Sequence, residues 1–224
     1  MIFGLYLWDK TLLDFTAGGP LFWPLTLLWL VMLTAMLSQL NPHSKLTIGC
    51  MKQYPSSFDP APAYDPEQLK KTVRAQNLGA LKVAVVWLAV NGLFGLLFLK
   101  GIFSVSELLL LSAFYYPCDL ICVLFFCPFQ TFLMKNRCCV NCRIFAWGSW
   151  MMAVPLLCVP HIYAQSLIWA SVLVLIVWEY RFFLYPERFW FGSNRHLQCA
   201  CCKEQLCRYK YPRSPRFQNK KTSV

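Results

Sequence analysis

Apolar residues in this chain come in five long runs, separated by segments that are basic, Pro-rich or Cys-rich. The runs are 20–40, 78–99, 102–126, 144–163 and 166–184. The first and the fourth hold no Lys, Arg, Asp or Glu. The second carries only Lys82, the third Glu107 and Asp119, and the fifth Glu179 and Arg181 near its end. Each run suffices to cross a hydrocarbon core of about 30 Å at about 1.5 Å per residue. Backbone groups in lipid must bond internally, so the pattern predicts five transmembrane α-helices. Pro117, Pro155 and Pro160 fall inside them as tolerated kinks.

Residues 1–19 precede the first run. Asp9, Lys10 and Asp14 break up their apolar pieces, and Tyr6 and Trp8 suit the headgroup layer. The stretch lacks the basic start and small-residue cleavage site of a secretory signal, so no cleavage is expected. Between the first two runs, 41–77 is the first large loop. Its first part, with Pro42, Pro55, Pro60 and Pro62, is expected to be extended. Its second part opens with Asp65-Pro66-Glu67, a helix-start signal, and predicts a helix running on into the second span. Loop 127–143 and tail 186–224 complete the division around the 20–185 bundle.

Charge fixes the expected orientation. Lys and Arg number five in 41–77, three in 127–143 and nine in the tail, so seventeen of the 21 share one side if there are five spans. The opposite side has Lys10 and Lys100. The positive-inside rule then puts the N-terminus out and the C-terminus in. Composition agrees. The chain is 58% hydrophobic and 14% charged, against about 45–50% and about 25% for soluble domains. The net charge of +11 is thereby accounted for by topology. The end of the tail, from Arg208, is basic and suited to anionic lipid headgroups. It holds no nucleic-acid-binding module, so nucleic acid is not the expected partner.

The sharpest chemical signal is sulfur. Eight of the twelve cysteines fall in the two inner segments flanking the last two spans. One set is Cys127, Cys138, Cys139 and Cys142; the other is Cys199, Cys201, Cys202 and Cys207. Each contains a C-x-x-C, and the helical hairpin between them returns both to one membrane face. Two such knuckles supply the four thiolates of a tetrahedral zinc site, and the same set can hold an iron–sulfur cluster. The inner face is normally reducing, which favours ligands over disulfides, and neighbouring Arg and Lys favour thiolates. Cys139, Cys142, Cys199 and Cys202 are the first candidates. Cys138 and Cys207 follow, and Cys127 and Cys201 are extra ligands or redox thiols. The expectation is an all-α integral membrane protein with a small cytosolic cysteine-rich metal knob, which ties loop to tail and is able to present itself to a protein partner.

Three further cysteines, Cys118, Cys122 and Cys158, lie within the runs, where free cysteine usually packs as a small hydrophobe. Cys118, Cys122 and Cys127 also rise along one side of the third run, the spacing of a metal or electron path. Intramembrane acids are costly and point to function or to a buried partner. Asp119 is the deeper one, with Asn91, Tyr115 and Tyr116 as expected partners; Glu179 is expected to pair with Arg181 or another basic residue. Trp147, Trp150, Trp178, Tyr180, Tyr185 and Trp190 read as an aromatic belt. The chain has no phosphate-binding Gly loop, zinc-protease helix or nucleophile elbow, so no enzyme activity follows. Three functions stay open: a metal-stapled membrane protein, an iron–sulfur electron carrier, and a small transporter or channel using Asp119. The default compartment is a bacterial inner membrane.

Overall fold

The computed structural model describes residues 22–42, 53–62, 64–136, 142–198 and 201. These residues are mostly helical and include no β-strand. The main helices are α1 (Phe22–Ser38), α2 (Pro66–Leu99), α3 (Val105–Leu124), α4 (Gly148–Ala153) and α5 (Ile162–Leu184). Three of them, α2, α3 and α5, are long and apolar enough to cross a membrane.

Local signals explain the starts. The Asp65 side chain accepts a hydrogen bond from Glu67 N at 2.8 Å, and Pro66 fills the first helical position. α2 then continues without a break for 34 residues, about 51 Å, well beyond a hydrocarbon core. Ser104 and Glu107 form a capping box, so Glu107 helps to fix the start of α3. The His161 side chain caps α5, accepting from Tyr163 N.

The fourth apolar run departs from the expected single helix. It is a 3-10 turn (Arg143–Trp147), then α4, then a second 3-10 turn (Val154–Cys158). Pro155, within the second turn, has no N–H to give an α-helical ladder, and Pro160 stops any continuation. The tighter 3-10 turns rise more per residue, so these sixteen residues still extend about 29 Å.

Consecutive elements alternate in direction. At one end of the bundle Trp29 Nε1 of α1 donates to Ser166 Oγ of α5 at 2.8 Å, and Phe98 and Phe103 pack near Val159 and Ala164. At the other end Gln39 Nε2 donates to Ser149 Oγ at 2.8 Å, and Arg143 reaches both Asn77 and Glu179. These are called below the His161 end and the Glu179 end. The central helix is α5, with a third (33%) of its apolar stretch enclosed, against 11% for α2 and 6% for α3. The outward faces are apolar: Trp169 is 69% exposed and Phe183 80%. Such a surface suits lipid rather than water.

The aromatics at the Glu179 end depart from a belt. Trp147, Trp178 and Trp190 are buried, whereas Tyr180 and Tyr185 face outward. Trp178 and Phe189 meet edge to face at 6.2 Å between ring centroids, and Tyr54 meets Trp178 at 5.5 Å. The piece 187–191 therefore supplies core through Phe189 and Trp190.

Candidate functional site

The Glu179 end is built around one carboxylate. Arg143 approaches Glu179 with two nitrogens, Nε at 3.3 Å and Nη2 in closer contact. Trp147 Nε1 donates to the same carboxylate at 2.7 Å. Arg143 also reaches Asn77 Oδ1 on α2 and stacks over the Phe182 ring at 4.1 Å. The partner of Glu179 is thus Arg143 rather than Arg181, whose guanidinium lies 4.5 Å from the Tyr54 ring and 5.1 Å from that of Trp178. Arg143 wins because it enters from a neighbouring element, able to point both ends of its fork at one carboxylate. It follows Cys142 directly in the chain.

Cys142 itself is 3% exposed and packs with Ala80, Val83, Ile144 and Trp147. The described residues ahead of Cys199 are also held in place. Ala61 N donates to Ser193 O at 2.9 Å and Arg195 N to Asp59 O at 2.8 Å, around an isolated bridge between Pro60 and Asn194. Asn194 is fully buried, donates to Arg188 O at 2.9 Å and accepts from His196 N at 3.1 Å. His196 Nδ1 lies 2.6 Å from Ser57 O. Loop 53–62 is in turn seated by Tyr54, whose hydroxyl donates to Gln39 O at 2.5 Å. Cys201 follows, exposed. Cys138, Cys139, Cys199, Cys202 and Cys207 lie outside the described residues. Among the described residues, no three His, Cys, Asp or Glu side chains form a group that could hold a metal ion.

A cavity of about 110 Å³ opens between α3 and the segment that starts at Cys142. Cys118, Asp119, Cys122, Cys127 and Cys142 all line it. Spacing had placed the α3-side thiols along one face; their meeting with Cys142 depends on the packing of two elements and has no signal in the spacing. Gln130 N donates to Cys127 Sγ at 3.4 Å. Cys158 lies elsewhere, packed at the His161 end.

Asp119 faces this cavity against the backbone of α4. A Cβ added to Gly148 would stand 3.3 Å from Asp119 Oδ1, so glycine keeps room for the carboxylate. Asn91, 7% exposed, is engaged otherwise. Its Nδ2 donates to Trp87 O at 2.9 Å, and its Oδ1 accepts from Tyr115 O–H at 3.2 Å. The structure thus brings Asn91 and Tyr115 together, with Asp119 on the next turn of α3 beyond Tyr115. Close approaches fall at Gly79, where a Cβ would meet Met134 Sδ at 2.8 Å, and at Gly192, where it would meet the Trp190 ring at 2.5 Å. The Gly92-x-x-Gly95 pair has open space at Gly92 and Cys158 Sγ at 3.8 Å from a Cβ on Gly95.

Fold and surface define a helical chain with membrane-spanning capacity. Comparison with known protein families, curated proteins and solved structures finds no significant match.

Proposed function

We propose that this chain is a five-span membrane protein, N-terminus out and C-terminus in, with a cysteine-ligated zinc at its cytosolic face. Cys139 and Cys142 of one knuckle and Cys199 and Cys202 of the other are its ligands, with Cys138 and Cys207 next to them. The supporting observation is that the described residues flanking both C-x-x-C elements are held at one end of α5. Arg143, beside Cys142, is clamped to Glu179, and the chain leading to Cys199 is pinned on a loop that Tyr54 seats against Trp178. Four thiolates from two such arms match zinc's tetrahedral demand. The ion then staples a loop to a tail and gives the inner face a rigid knob for a protein partner. The basic tail beyond it lies against anionic lipid of a bacterial inner membrane.

Metal analysis and a visible spectrum of anaerobically purified protein test the reading. One colourless zinc per chain is the expected result. Iron with acid-labile sulfide and brown absorbance would replace zinc by an iron–sulfur cluster and make the protein an electron carrier. No stoichiometric metal would sink both. The cavity at Asp119 favours a second reading, a small transporter or channel. An Asp119→Asn variant with unchanged ion flux in liposomes would remove it.

A further inference from the structure

The cavity beside α3 is a second concentration of sulfur, which meets the first knuckle at Cys142. α3 ends at Leu124, and Phe125 N and Phe126 N both bond back to Ile121 O. This turn returns Cys127 toward Cys122, and the two residues line the same cavity. Gln130 N holds Cys127 Sγ from the other side. The thioethers of Met151 and Met152 belong to the same wall.

We propose that the Cys122–Cys127 pair binds a soft monovalent cation of the copper(I) type. Thiolate and thioether donors select such ions over the oxygen-seeking magnesium and calcium. Two close thiols satisfy a d10 ion that accepts two ligands in line. Zinc requires four, and no third His, Cys, Asp or Glu among the described residues completes a group for it. The cavity, about 110 Å³, is large enough to seat an ion. Binding transfers no electrons; each thiol that becomes a ligand gives its proton to the buffer.

The test uses the full chain, reduced and anaerobic, with its zinc in place. Copper(I) is delivered from a bicinchoninate complex, thiols are then alkylated, and each cysteine is read by peptide mass spectrometry. The expected result is one added copper per chain and at least tenfold slower alkylation of Cys122 and Cys127. A Cys122→Ser/Cys127→Ser variant should lose that copper and keep its zinc; Cys158→Ala should keep both. Three results would overturn the proposal: the same copper content in the double variant, protection confined to the knuckle cysteines, or equal protection of the pair by zinc. Recovery of the pair as a disulfide without bound copper would also overturn it. Zinc content is read in the same samples, so failure at the knuckles and failure at the cavity are distinguishable.

Discussion

Replacing Glu179 by alanine is expected to be among the most damaging single changes at the Glu179 end. The Arg143 side chain is 13% exposed and that of Glu179 29%. Glu179→Ala leaves a guanidinium in that environment with, among the described residues, Asn77 Oδ1 and the Phe182 face, and strips Trp147 Nε1 of its described acceptor. Breaking a buried pair from one side costs about 3–5 kcal/mol, and the partial exposure of Glu179 puts the expectation near 3, or about 100-fold in the unfolding equilibrium. Glu179→Gln keeps an acceptor for Trp147 and for one Arg nitrogen and should lose about 1–2 kcal/mol. Arg143→Met with Glu179→Leu removes both charges and keeps apolar volume, so it should cost much less than the two single changes added together. Steric-trapping measurement of unfolding in bicelles gives all three numbers. The reasoning fails if Glu179→Ala stays within 1 kcal/mol of wild type, or if the double variant equals the sum.

Other expectations follow from the same packing. Gly79→Ala should lower stability by about 1–3 kcal/mol through its clash with Met134, whereas Gly92→Ala should be neutral or slightly stabilising; thermal denaturation in one detergent compares them. Trp178→Ala should cost about 3–5 kcal/mol, while Trp169→Ala, outward on the same helix, should stay within about 0.5 of wild type. Asn194→Ala removes an Arg188 O contact and the His196 N acceptor, about 1–3 kcal/mol held locally in the tail. Trypsin should then cut at Arg195 several-fold faster. Exposed Cys201 should react with a membrane-impermeant maleimide in inside-out vesicles and not in right-side-out ones; the reverse pattern contradicts the orientation.

Residue chemistry read along the chain goes far where the cause is local. Asp65-Pro66-Glu67 marks the start of α2, and that cap forms. The apolar runs mark α2, α3 and α5 because lipid demands length and apolarity together. Facing is harder to read. In a membrane helix core and lipid sides are both apolar, so Trp178 and Trp147 look like belt residues although they are buried. In the fourth run, apolarity hides the interruption that Pro155 imposes. The Arg143–Glu179 clamp joins residues 36 apart, with Arg181 much nearer Glu179 in sequence, so only packing selects the partner. The thiol cavity has the same character: α3-side spacing is legible, and the arrival of Cys142 is not.

The most direct test of the central claim asks whether loop and tail share one ion. Zinc per chain should be measured in wild type, Cys142→Ser and Cys199→Ser proteins purified alike, with helical content checked by circular dichroism. One zinc in wild type and near-complete loss on removing either cysteine alone is the predicted result. Zinc retained in full when either one is missing would contradict a site built from both arms.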